Sequence, residues 1–313
     1  MKAVVTGVAG FIGSHLAERL LADGYDVYGV DKFLDNYPRH WKEENLSALA
    51  GRPRFYFVES DLARIDLPGL LDGASYVFHL AAQPGVRASW GKEFEHYTHN
   101  NLLATQRLLE ACKGEKIRKF VFASSSSVYG DTTDLPMRED GATRPVSPYG
   151  MTKLACEHLC YVYWKAFDVP VVSLRYFTVY GPRQRPDMGF HIFMRALLRD
   201  EELPVYDDGE QTRDFTFYAD IVQGTLAAAK YPNAGEIFNL GGGSRISLNG
   251  ALEILEQVAQ KKLRRKRLPR QAGDVRHTEA DLTRARERLE FKPEVGLREG
   301  LKEQWEWLCS RAR

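Results

Sequence analysis

Apolar residues along this chain alternate between two patterns: short, nearly unbroken runs, and longer stretches in which they recur every three or four positions. The runs Lys2–Thr6, Tyr25–Val30, Arg54–Val58, Tyr76–Leu80, Phe120–Ala123 and Val169–Leu174 have strand length. Near-continuous apolar character marks strands covered on both faces. The periodic stretches between them, Phe11–Ala22, 93–112 and 149–167, predict helices. Strands alternating with helices predict an α/β fold built on a doubly wound parallel sheet. After about residue 176 prolines and glycines become frequent and the apolar segments shorten, although Asp220–Lys230 still reads as a helix. The predicted organisation is a first domain over 1–176, which also receives about 213–234, and a smaller C-terminal α/β cap made of 177–212 and 235–313.

Composition narrows the partners. The chain has 313 residues, 44% of them apolar, and a net charge of +1. Such a balance points to neither nucleic acid nor an anionic membrane. No stretch approaches the ~20 apolar residues that span a bilayer. The opening MKAVVTGVAGFIG superficially resembles a signal peptide, but Thr6 and three glycines interrupt it and it runs on into a helical pattern, which predicts a strand and turn. The four cysteines, Cys112, Cys156, Cys160 and Cys309, have no framework spacing, so a reducing cytoplasm is expected. In CEHLC (156–160) the two cysteines share a helix face and His158 points away, so a packed face is expected rather than a metal site. The run KKLRRKRLPR (261–270) carries seven basic residues in ten. A solvated edge strand, where lysine blocks further pairing, is expected there rather than a nucleic-acid patch.

Three features carry chemistry. TGVAGFIGSH places Gly7, Gly10 and Gly13 between a strand and a helix. Glycines there let backbone approach a pyrophosphate, and the helix N-terminus offers free N–H groups and a positive dipole end. Asp31 closes the second strand 18 residues beyond Gly13, near the spacing at which an acid meets the adenosine ribose; that acid would repel a 2′-phosphate and favours NAD. SPYGMTK sets Tyr149 and Lys153 four apart, on one helix face. A phenol is a poor base at neutral pH, and an ammonium one turn away favours its ionised form. ASSSSVYG (123–130) ends a buried strand in serines. A hydroxyl at the carboxyl end of a central strand faces the ligand crevice and can relay a substrate proton to Tyr149.

Taken with Asp61–Leu62, HLAAQ, RYFTVYGP, GEQTRDFTFYADI and GDVRHT, these segments resemble the extended short-chain dehydrogenases/reductases, in particular the nucleotide-sugar epimerases and dehydratases, over nearly the whole chain. The resemblance implies a Rossmann domain that binds NAD. It makes Ser125, Tyr149 and Lys153 the catalytic set, with Lys153 also holding the nicotinamide ribose. It puts Asp61 and Leu62 beside the adenine and Ala81 and Ala82 against the cofactor. Phe11, Ile12, Lys32 and Leu80 are expected among the cofactor contacts as well. Ser126 and Ser127 are expected to line the sugar pocket, and Arg213 and Arg276 match arginines that grip a nucleotide diphosphate. Both arginines also stand beside aspartates, Asp214 and Asp274, so surface ion pairing is the alternative. Tyr206 resembles a residue beside the uracil, with a core tyrosine as the alternative. Arg87 could approach the sugar. Arg185 could close over sugar or nucleotide, or belong to a basic loop.

The dehydratases' extra Asp-Glu pair is replaced by Ser126 and Ser127, and the decarboxylases' glutamate by Ser127. AAQPGVRASW and RYFTVYGPRQRPDMGFH, with Thr178 where many relatives have Asn, are most similar to UDP-glucuronate 4-epimerases. Ser125, Ser126, Ser127 and Thr178 offer a substrate carboxylate hydroxyl donors without added negative charge. The resemblance implies a UDP-sugar substrate and a homodimer built on the helices 93–112 and 149–167. A UDP-glucose 4-epimerase, a UDP-glucuronate decarboxylase and a non-catalytic NAD sensor are the alternatives.

Overall fold

The computed structural model describes residues 1–243 and 245–311. In chain order its strands are β1 (Lys2–Thr6), β2 (Asp26–Asp31), β3 (Phe55–Glu59), β4 (Ala74–His79), β5 (Lys119–Ser125), β6 (Val171–Tyr176), β7 (Thr178–Tyr180), β8 (Glu202–Tyr206), β9 (Thr212–Phe217), β10 (Glu236–Leu240), β11 (Arg245–Ser247) and β12 (Arg264–Leu268). Seven form one wholly parallel sheet in the order β10-β6-β5-β4-β1-β2-β3. The winding direction reverses between β1 and β4, and a doubly wound sheet binds its ligand outside the carboxyl ends of the strands at that point.

Alternation along the strands explains the double layer. Ala3, Val5, Val121 and Ala123 pack on one face with the helices Phe11–Ala22 and Tyr218–Lys230. Val4, Phe120 and Phe122 pack on the other with Leu108, Leu109, Cys156 and Cys160. Those last four lie on the helix Pro148–Phe167 and on a continuous helical stretch from Phe94 to Ala111, which is π-helical over Thr98–Leu103. A π turn commonly marks a functional site.

Two segments depart from the predicted division. β10, assigned by sequence to the cap, is the seventh strand of the large sheet: Glu236–Leu240 pairs in register with Val172–Tyr176. Burial of Phe238 and Leu240 against that sheet drives the pairing, and so short a run between glycines carries little local signal. β9, assigned by sequence to the first domain, instead pairs with β7 and β11 in a separate three-stranded sheet. The basic run contributes β12, which pairs in parallel with β8 and leaves Arg264, Arg265, Lys266 and Arg267 exposed at a two-stranded edge. Among the described residues no helix is long and apolar enough to cross a membrane.

Candidate active site

β1 delivers the chain into a turn that only glycine accommodates. Gly7 has φ +72°, and a Cβ there would lie 2.8 Å from the Ala81 nitrogen. A Cβ on Gly13 would lie 2.2 Å from the Gly7 carbonyl oxygen. Gly10 is the N-cap of the helix Phe11–Ala22 and supplies no side-chain cap, so the first N–H groups of that helix remain available to an anion. This backbone cradle fits the pyrophosphate of a dinucleotide. Asp31, at the end of β2, accepts the Ala9 N–H (3.0 Å) and the Phe33 N–H (2.8 Å), which fixes its carboxylate beside the turn. Burial pushes its pKa up, against those two N–H groups and Lys42.

A cavity of about 440 Å³ opens from this turn across the carboxyl ends of the strands. Its lining includes the predicted cofactor residues Gly7, Gly10, Phe11, Ile12, Gly13, Asp31, Lys32, Asp61, Leu62, Leu80, Ala81 and Ala82. At one end Lys32 donates to Asp61 (2.9 Å) and to the Asn100 side-chain oxygen (2.5 Å), and His99 lies 3.1 Å from Asp61. Burial alone would raise the Asp61 pKa. The Ala63 N–H, Lys32 and His99 outweigh it and hold the carboxyl at about 2. Ala81 donates its N–H to the Thr6 hydroxyl (3.1 Å), which is bonded at 2.7 Å to the buried His79 ring.

The same cavity is lined by Ser125, Ser126, Ser127, Tyr149, Lys153, Thr178 and Arg185. Local sequence places them. Ser147 caps the helix Pro148–Phe167 by accepting the Gly150 N–H (3.1 Å), with Pro148 in its first turn. Gly150 lets that turn lie against the serine segment, since a Cβ on it would meet the Ser127 carbonyl oxygen at 2.5 Å. One turn further on, the buried Lys153 donates to the Ala123 carbonyl (2.8 Å) at the end of β5. The serines divide. Ser124 turns into the core and donates to Glu157 (2.5 Å). Ser125 caps the short turn Ser126–Val128 by accepting the Ser127 N–H (3.2 Å). Tyr149 packs edge-on to Tyr97, whose hydroxyl donates to the Pro84 and Gly85 carbonyls. Arg185 is paired through two contacts of 2.9 Å with Asp187.

The remaining predicted substrate residues lie outside this cavity, in a cluster of their own. Arg87 stacks 4.1 Å from the centre of the Tyr206 ring and pairs with Asp274. Arg213 donates to the backbone carbonyls of Thr212 and Val275, not to Asp214, whose carboxylate accepts the Gly242 and Ala280 N–H groups. Arg276 pairs with Asp207 and Asp208 rather than Asp274. Burial lowers the Arg213 pKa, Asp274 and Asp131 raise it, and the Arg87 and Arg270 charges lower it again. Several guanidinium groups so gathered suit a polyanionic group such as a diphosphate.

Sequence reasoning missed other cavity residues: Asn36, Tyr37, Lys42, Ser60 and Asn100. Asn100 (6% exposed) and Asn101 (2% exposed) are polar residues on the buried face of their helix. The segment 33–37 carried no signal, because it has no period. Among the described residues no group of three or more His, Cys, Asp or Glu side chains is placed to hold a metal ion.

The model of the NAD dependent epimerase/dehydratase family matches residues 3–241. The chain is 44% identical over 312 residues to the uncharacterized UDP-glucose epimerase YtcB of Bacillus subtilis (strain 168), covering 99% of this chain and 98% of that one. It is 40% identical over 309 residues to the UDP-glucuronate 4-epimerase of Thermodesulfobacterium geofontis (strain OPF15), covering 97% and 95%. The crystal structure of UDP-glucuronic acid 4-epimerase from Bacillus cereus, in complex with UDP-glucuronic acid and NAD, superposes with a TM-score of 0.97 at 45% identity, covering 99% of this chain and all of that one.

Proposed function

The chain belongs to the NAD-dependent epimerase/dehydratase family, and we propose that it is an NAD-dependent isomerase that interconverts UDP-glucuronate and UDP-galacturonate. One observation carries the choice of substrate. Ser125, Ser126, Ser127, Thr178 and Arg185, the last paired with Asp187, line the wall of the cavity that holds Tyr149. Hydroxyls and a guanidinium bind a C6 carboxylate. The positions that in dehydratases carry an eliminating acid–base pair are here Ser126 and Ser127.

NAD, when bound, supplies a hydride acceptor for C4 that returns what it takes, so no net oxidation occurs. Tyr149 removes and later returns the proton of the C4 hydroxyl, and Ser125 relays it. Lys153, tied to the Ala123 carbonyl, holds the nicotinamide ribose. Inverting C4 requires the keto sugar to turn over while the nucleotide stays fixed. The separation of the Arg87, Tyr206, Arg213 and Arg276 cluster from the sugar cavity suits that demand: the cap anchors the nucleotide and leaves the sugar free to swing.

NMR of products from UDP-glucuronate and UDP-glucose, supplied separately, tests this. UDP-galacturonate is the expected product. Turnover of UDP-glucose with none of UDP-glucuronate would make the chain a UDP-glucose 4-epimerase, and release of carbon dioxide with a UDP-pentose would make it a decarboxylase.

The assembly we propose is a homodimer in a reducing cytoplasm. Leu103, Met151, Tyr161, Val162 and Phe167 are exposed on the paired helices 94–111 and 148–167, and the thiols of Cys112, Cys156 and Cys160 are buried. Light scattering that returned the mass of one chain would exclude the dimer.

A further inference from the structure

We infer that Lys42 is a positioning residue for the cofactor: it pins the strap 33–37 over the dinucleotide crevice and thereby sets how long NAD stays bound. The inference rests on the reading that this crevice holds NAD.

The strap leaves β2 directly after Asp31, and Leu34, Asn36, Tyr37 and Lys42 all line the cavity. It is not regular structure. Phe33 has φ +51°, in the left-handed region that a bulky residue seldom occupies. Something must hold it there. From the sheet side, Asp31 accepts the Phe33 N–H. From the other side, Lys42 on the helix Arg39–Ser47 donates to the Leu34 carbonyl and to the Asn36 side-chain oxygen (2.9 Å), with its ammonium 4.4 Å from the centre of the Tyr37 ring. One cation thus grips three successive parts of the strap.

Its setting is costly for stability alone. Lys42 is 4% exposed, and its ammonium donates to the Leu34 carbonyl and the Asn36 amide oxygen. A buried charge compensated by a carbonyl, an amide oxygen and an aromatic face is a poor stabiliser. Burial lowers its pKa to about 8, with Asp31, Asp35 and Asp187 opposing and Arg185 adding to the shift. A leucine or methionine would pack there more cheaply. The ammonium is explained if its task is to hold the strap shut.

The test compares NAD release from wild type, K42M and K42R, with hydrogen exchange of the strap amides beside it. K42M is expected to release NAD at least tenfold faster, with faster exchange at 33–37 and unchanged exchange in β1, β4 and β5. Arginine, which keeps a cation and several donors, is expected to restore release to within about threefold of wild type. K42Q replaces K42M if the latter does not fold. Wild-type release and wild-type strap exchange in whichever neutral variant folds would overturn the inference. A wild-type protein that binds no NAD by calorimetry would instead overturn the reading of the crevice.

Discussion

At Gly13 the crevice tolerates no side chain, because the atom a Cβ would strike is the Gly7 carbonyl oxygen of the turn itself. Backbone cannot move aside as a flexible side chain can. Gly13→Ala is therefore expected to weaken NAD binding by more than tenfold, read by calorimetry; unchanged affinity would mean that the turn does not cradle the cofactor. Tyr149 makes the opposite case: it lines the cavity, and its phenol is the proposed acid–base group. Tyr149→Phe is expected to lower kcat by about 10²–10⁴-fold, the usual range for a lost acid–base group, with NAD affinity and Tm little changed. In the proposed reaction Thr178 and Ser127 bear on the fate of the intermediate. Once C4 is a ketone, the C6 carboxylate belongs to a β-keto acid and leaves as carbon dioxide if its bond aligns with the carbonyl π system. Thr178→Asn and Ser127→Glu loosen or repel that carboxylate, so a UDP-pentose is expected among their products. Unaltered preference for glucuronate with no pentose would refute that role for the hydroxyls.

Between elements, one buried network ties the serine-bearing strand to the helix of Tyr149. Arg175 on β6 donates through two contacts, 3.0 and 2.7 Å, to Glu157 on the helix Pro148–Phe167. Glu157 also accepts the Ser124 hydroxyl at the end of β5. Arg175 and Glu157 are each 3% exposed. Arg175 further reaches the Glu139 carbonyl and lies over the Tyr129 ring, and Tyr129 donates to Asn239 on β10. Removing one member of a buried pair strands the other charge, at a cost of about 3–5 kcal/mol. Arg175→Met is expected to lose stability of that order in urea denaturation. A loss below ~1 kcal/mol would show that the network does not bind these elements together.

Across the whole molecule, buried histidines govern the response to acid. His79 is enclosed between Thr6 and Thr105 hydroxyls, and His15 stacks on Tyr218 and reaches the Pro182 carbonyl. Burial lowers both to about 3, helped by the Lys153 charge at His79 and by Arg183 at His15. A histidine lowered in the folded state binds its proton more readily when unfolded. Its contribution is therefore complete above the ordinary value of 6.5 and is lost as pH falls towards 3. Asp61, held at about 2, adds a loss below 3.8. Asp214 works the other way: burial raises it to about 6, so its contribution is lost as pH rises through that value. Asp31, Glu139, Asp220 and Glu303 are raised by burial in the same sense as Asp214, and His191 and His277 are lowered in the same sense as the other two histidines. His15 and His79 are displaced furthest from their ordinary value, and the urea midpoint is expected to fall from pH 6.5 to pH 4. A flat midpoint over that interval would contradict the assignment of His15 and His79 as neutral buried groups.

The parallel sheet, the glycine turn with its acid, the helix carrying Tyr149 and Lys153, and the exposed basic strand were all legible in the amino-acid order alone. Each depends on a period or a turn spanning a few residues, where chain connectivity already sets the geometry. Tertiary structure alone decided that Glu236–Leu240 completes the large sheet, that Ser124 bonds to Glu157, that Arg87 meets Tyr206 and Asp274, and that Lys42 lies beneath the strap. These outcomes turn on burial and on charges meeting across long separations in sequence. A neutral flank or a lone lysine shows no pattern until the rest of the chain has closed around it.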